Sequence, residues 1–232
     1  MKFISHYSSS HGNLYEIQTV DGRLLIECGV SITKLKKALD YDLSYIYGCI
    51  VSHGHKDHCE SMFKVMGEGI DVYTNFTHNK GMRRHHDIDA HMQIGPFHVH
   101  AFPLCHDVAC MGFIVMHDSE TLLFCTDTRT IPQAFRIPFD IIAIEANYYD
   151  DLLDYQVQTG KYPDFVAKRI RKNHMNIDET KRYLTGHDQD TGEQYCDLSR
   201  CREIHLLHMS EIVEREDVIK ELSKYFIGIK VL

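Results

Sequence analysis

The stretch Val51-Ser52-His53-Gly54-His55-Lys56-Asp57-His58 constrains this chain more than any other. It completes an apolar run, residues 45–51, that reads as a buried strand. Three imidazoles and a carboxylate fall within six positions. Each neutral imidazole brings a donor and an acceptor that must find partners, and a divalent metal ion meets that need. His53 and His55 alternate along an extended segment, so both can point at one ion. Asp57 and His58 come where the chain should turn into a helix, and can face a second. A His-rich exposed loop is the competing reading, and a short motif alone does not exclude it.

With 232 residues the chain reads as one domain, 1–232. It starts Met1-Lys2-Phe3-Ile4 and turns polar at once, so no secretory leader is expected. No apolar run approaches the length of a membrane span, which predicts a soluble, cytoplasmic protein without a membrane partner. The eight cysteines lie mostly in apolar strands and read as reduced, buried small hydrophobes. Cys196 and Cys201 stand near His187 and His205, but their spacing is not that of a zinc knuckle. Net charge is −8 with His neutral, so the chain lacks the long-range pull that most nucleic-acid binders use.

Residues 1–30 read as a β-meander, with Asp21-Gly22 as a tight turn and residues 8–13 as a small-residue loop. In that loop Ser hydroxyls or backbone N–H groups could touch a phosphate; a plain surface turn fits equally. Ser31 can cap a helix to about Asp40, and residues 71–74 form a strand. Residues 75–91 carry His78, Arg83, Arg84, His85, His86 and His91, more simply a solvated helix or loop than a substrate surface. Strands are expected at 97–102, 113–116, 121–125, 140–145 and 203–208, helix over 150–184 broken at Pro163, and a charged helix after Ser210. Strands in two groups separated by helices, with polar residues at strand ends, fit an α/β (α+β) four-layer αββα sandwich. His106, Asp127 and His208 each follow an expected strand. His98, His100, His117 and His205 lack such placement and read as structural.

His53-x-His55-x-Asp57-His58 resembles the signature of the metallo-β-lactamase-fold hydrolases. That resemblance implies two divalent ions. His53, His55 and His106 would hold one, Asp57, His58 and His208 the other, and Asp127 would bridge them. Imidazole and carboxylate ligands favour Zn²⁺, and Mn²⁺ or Fe²⁺ also fit. Glu145-Ala146-Asn147-Tyr148, Asn173-His174-Met175-Asn176 and Leu207-His208-Met209-Ser210 are similar to three motifs of the RNase Z and YycJ/WalJ branch, with YycJ the closer match. In that branch the histidine matching His174 protonates the leaving oxygen, and a carboxylate matching Glu145 orients it. His174, Glu145 and Asp57 are therefore the candidate catalytic residues. The chain departs from YycJ at Asn173 and Asn176, where Gly and Ser are usual. It also departs in Glu211-Ile212-Val213, which replaces an Asn-rich extension.

The expected chemistry is dinuclear phosphodiester hydrolysis: water activated between two ions attacks phosphorus in line while His174 protonates the departing oxygen. The YycJ likeness favours DNA or RNA, with one or two of Lys168, Arg169, Arg171 and Lys172 on phosphates. The acidic balance leaves room for a cyclic nucleotide or another small phosphodiester. A thioester or lactone hydrolase could use the same metals without needing the Glu145/His174 dyad. The partner is thus a nucleic acid or nucleotide substrate, and relatives suggest a homodimer.

Overall fold

Parallel strands that end in polar residues organise both halves of the chain. The computed structural model describes residues 1–76, 82–187, 192, 194–226 and 228–231. The chain divides into two compact units, Met1–Pro103 with Val108–Glu120, and Leu104–Asp107 with Thr121–Leu232.

In the first unit β1 (Lys2–Ser9), β2 (Gly12–Gln18) and β3 (Arg23–Ile26) form the expected antiparallel meander. Then follow α1 (Ile32–Ala38), β4 (Ile46–Val51), α2 (Lys56–Cys59), α3 (Met62–Gly67), β5 (Val72–Thr74) and β6 (His85–Asp87). The six strands make one sheet in sequence order, parallel from β3 onward. Ser31 caps α1 by accepting from the Lys34 N–H. Leu35 of α1 and Val65 of α3 pack with Leu14, Leu25, Val51 and Val72 in a dry core. An antiparallel pair, β7 (His91–Ile94) and β8 (Phe97–Leu104), and then β9 (Cys110–His117) follow.

Two expectations in this unit are corrected. Residues 8–13 are mostly strand, with only Ser10 and His11 in the turn. Gly12 makes this possible: its φ is 146°, and a Cβ there would lie 2.6 Å from Val30 Cγ1. Residues 85–87 and 91–94 are strand rather than helix or loop, because β6 pairs along the edge of β5 and β7 pairs with β8. His78 lies outside the described residues.

The second unit holds β10 (Glu120–Cys125), β11 (Phe135–Pro138), β12 (Ile141–Glu145), α4 (Asp150–Gln158), α5 (Asp164–Asn173), α6 (Ile177–Thr185), β13 (Cys196–Asp197), β14 (Glu203–Leu207), α7 (Arg215–Leu222) and β15 (Ile229–Val231). Strands β10, β12, β14 and β15 pair in that order, all parallel. Every residue of β12 is buried, as expected of a parallel strand covered on both faces.

The helical stretch breaks at Pro163 as expected, and again at residues 174–176. There the backbone is extended: the Asn147 N–H donates to the Met175 carbonyl and the Ile177 N–H to that of Tyr148. Asn176 then caps α6 by accepting from the Asp178 N–H at 2.7 Å. Among the described residues no helix is long and apolar enough to cross a membrane. The cysteines are all free, and Cys28, Cys49, Cys110, Cys125 and Cys196 are buried.

Candidate metal centre

Ligands in open α/β sheets collect outside the carboxyl ends of parallel strands. Each unit places its candidate residues at such ends. In the first, β4 ends at Val51 and the chain runs extended through His53 and His55 into α2, which carries Asp57 and His58. His53 Nε2 lies 3.0 Å from His55 Nδ1, and the rings of His53 and His58 are 4.2 Å apart. Ser52 Oγ is 2.9 Å from His53 Nδ1. His58 Nε2 lies 3.5 Å from Asp57 Oδ2. Four metal-type side chains thus converge, two of them, His53 and His58, fully buried.

A buried carboxylate that sequence reasoning missed stands behind them. Glu27 follows β3 with φ 64°, accepts from the Ser52 N–H and lies 3.5 Å from His58 Nδ1. Burial raises its pKa, opposed by the charge of His58 and by hydrogen bonds from His58 and Ser52. On the other side of the ring, Asn13 Nδ2 donates to His58 Nε2 at 3.1 Å. Nε2 is then the lone-pair nitrogen and Nδ1–H faces Glu27, which would orient the ring for a metal; the Nε2 lone pair serves either Asn13 or an ion, not both. Gly29 permits this packing, since a Cβ there would fall 1.6 Å from the Asp57 carbonyl oxygen. A polar residue just after an apolar strand was the available signal for Glu27, the same logic that singled out Asp127.

In the second unit Asp127 follows β10 with φ 50°, Glu145 ends β12, and His208 follows β14 with φ 53°. His106 occupies the Leu104–Asp107 segment, and its Nδ1–H donates to the Asn173 carbonyl at 3.1 Å. Nε2 of His106 is thereby turned to within 3.9 Å of Asp127 Oδ2. His208 Nε2 lies 3.8 Å from the other oxygen, Oδ1. Both distances are too long for hydrogen bonds and leave room for a cation on each side of the carboxylate.

Beside them His174 Nδ1–H donates to Glu145 Oε1 at 2.7 Å, while the Thr128 N–H donates to Oε2 at 2.7 Å. The His174 ring stacks on that of His208, with centroids 5.0 Å apart. Asp127, Glu145, His174 and His208 each offer a ligand atom within 4.8 Å of the others. For Glu145, burial raises the pKa, but the charge and hydrogen bond of His174 outweigh it and hold the carboxyl below its usual range. For His174, burial lowers the pKa, but the Glu145 carboxylate outweighs it and pushes the ring up to about 9. Burial pulls His106 down. Asn147, within a sequence motif but without an assigned role, anchors His208: its Nδ2 donates to the His208 carbonyl and lies 3.2 Å from Nδ1.

Several other sequence candidates are tied up structurally. Arg84 pairs with Asp71 at 3.0 Å, His85 lies 2.8 Å from Thr74 Oγ1, and His86 stacks on Tyr73. His91 stacks on His100. Ser8 Oγ is spent on Tyr15 OH at 2.9 Å.

Residues 22–190 match the family model described as a beta-lactamase superfamily domain. The chain belongs to that superfamily. It is 25% identical over 166 residues to the probable metallo-hydrolase YhfI of Bacillus subtilis (strain 168), a match covering 59% of this chain and 66% of that relative. The stretch matched is thus slightly less than two thirds of YhfI. The crystal structure of the B. subtilis protein superposes with a TM-score of 0.71 at 17% identity, over 99% of this chain and 95% of that one. A diphosphatase of the PhnP family superposes with a TM-score of 0.64 at 13% identity, over 99% and 94%. For the short form of human tRNase Z the TM-score is 0.57 at 13% identity, over 91% and 93%. Family and mixed α/β metallo-β-lactamase fold are those that the His53–His58 motif implied. The matched relative is described as a probable metallo-hydrolase, and the His/Asp clusters of this chain offer donor types that suit divalent metal ions.

Proposed function

We propose that the chain is a dinuclear metal-dependent phosphodiesterase whose substrate is DNA or RNA. The observation that carries this reading is the His174–Glu145 hydrogen bond of 2.7 Å, set beside Asp127 and His208. Phosphodiester cleavage expels a poor leaving group, an alkoxide, which needs a proton donor. In the metal-free chain, against burial, the Glu145 carboxylate pushes the His174 pKa up to about 9, so the ring holds a proton, while Glu145 fixes its tautomer and offsets its charge. Thiolates leave without such help, so a thioesterase has less use for the dyad.

In this reading His53, His55 and His106 would hold one ion and Asp57, His58 and His208 the other, with Asp127 shared. The donor set fits: imidazoles and carboxylates suit Zn²⁺, and Asp127 presents one oxygen toward His106 and one toward His208. Bound there, the metals would supply nucleophilic water at neutral pH and offset charge on the phosphoryl oxygens. Glu27 faces His58 Nδ1, Asn13 Nδ2 donates to the Asp57 carbonyl, and Asn147 holds His208. Free cysteines support a reducing, cytoplasmic setting. A tRNase Z and a diphosphatase among similar folds are consistent with phosphoester substrates.

The net charge of −8 favours a second reading, a cyclic nucleotide or other small phosphodiester. Cleavage of labelled single-stranded DNA, RNA and cyclic nucleotides across a salt series separates the two. Strand cleavage that falls steeply with salt supports the nuclease. Cyclic-nucleotide cleavage indifferent to salt, with intact strands, overturns it.

A further inference from the structure

We propose that the outward stripe of α5, formed by Phe165, Arg169 and Lys172, binds single-stranded nucleic acid, with the two cations on phosphates and Phe165 against a base. The inference rests on the phosphodiesterase reading and names where its substrate lies.

Residues 165, 169 and 172 are spaced i, i+4, i+7 and share one face of the helix. All three are exposed, Phe165 at 72%, whereas Ala167 and Asn173 are buried. The Phe165 ring is left accessible to a base on a helix that buries its other face. The cations of α5 are not equivalent. Arg171 is bound by Asp150 at 2.7 Å and Asp154 at 2.6 Å, and Lys168 by Asp164 at 2.6 Å. Arg169 and Lys172 make no ion pair among the described residues. Their charges remain available to an anion even though the chain as a whole is acidic.

The stripe also points the right way. It spans roughly 10 Å along the axis at 1.5 Å per residue and ends where α5 gives way to His174. Arg169 is close enough for its charge to act on the His174 ring. A helix C-terminus repels phosphate through its dipole, so cations in the last turns are what an anionic strand needs to pass there. One aromatic and two unpaired cations in line form the combination that holds single strands without reading sequence.

The test is fluorescence anisotropy of the metal-loaded protein with a labelled phosphorothioate strand about a dozen nucleotides long, which resists cleavage, across a salt series. Removing two phosphate contacts flattens the log–log salt slope by about 1.4. Arg169→Gln/Lys172→Gln should show that change, and Phe165→Ala should weaken binding roughly 5- to 150-fold. Lys64→Gln, an exposed lysine on α3, should keep the wild-type slope. Wild-type slope and affinity in both stripe variants, equal flattening by Lys64→Gln, or no strand binding by wild type each overturns the proposal. Wild-type turnover of bis-p-nitrophenyl phosphate, measured alongside, reports separately on the phosphodiesterase reading.

Discussion

His174 Nδ1 lies 2.7 Å from Glu145 Oε1, and the carboxylate that receives it is fully buried at the end of a parallel strand. The pair is held from both sides. Thr128 N–H occupies the second Glu145 oxygen, and the extended backbone after α5 pins His174 in place. A buried carboxylate stabilises an imidazolium, and the imidazolium in turn keeps the carboxylate ionised. Such a pair holds a transferable proton while itself carrying no net charge.

If His174 is that donor, its removal should be felt in proportion to the leaving group. His174→Ala should lose about 10²- to 10⁴-fold in kcat on an unactivated phosphodiester, the usual contribution of a general acid. On a p-nitrophenyl ester the loss should be under about tenfold, because that leaving group hardly needs a proton. Equal losses on both esters would assign His174 a structural role.

The same pair predicts a pH signature of the metal-free chain. The His174 pKa is raised from 6.5 to about 9, so its contribution to stability is complete below pH 6.5 and is lost as pH rises through about 9. Glu145 is lowered from 4.5, so its share is complete above pH 4.5 and is lost as pH falls below that. An NMR titration should find the His174 ring still protonated at pH 8. Glu145→Gln should bring its titration well down from about 9, since burial is then opposed only by the weaker influence of Asp127. A wild-type ring titrating near 6.5 would contradict this account.

Glu27 gives a prediction about metal rather than chemistry. Partners of ligating histidines typically contribute 10- to 100-fold in metal affinity. Glu27→Gln should therefore weaken zinc retention by about that factor in a chelator competition, with His58 less firmly oriented. Unchanged retention in a variant that still folds would remove Glu27 from the site.

The legibility of the sequence followed the strength of its physical signals. His53 through His58 stood out because three imidazoles cannot be packed away cheaply, and β4 and β12 because parallel strands are apolar throughout. His106, Asp127 and His208 followed from the rule that sites gather at strand ends. Glu27 obeys the same rule, following β3 in an ordinary-looking meander, whereas Asn13 lies near the start of β2 and nothing local marks it. The break at 174–176 carries a local signal: Asn176 with Glu179 three residues on is a helix start. Edge strands β6, β7, β11, β13 and β15 are two to four residues long and polar in places. Tertiary pairing decides them more than pattern does.

The most direct measurement is turnover of bis-p-nitrophenyl phosphate by zinc- or manganese-loaded protein, comparing wild type with Asp127→Ala. The account predicts that wild type cleaves the diester and that Asp127→Ala, lacking the carboxylate set between His106 and His208, does not. A fully metallated wild type that leaves this ester intact while opening thioesters would contradict it.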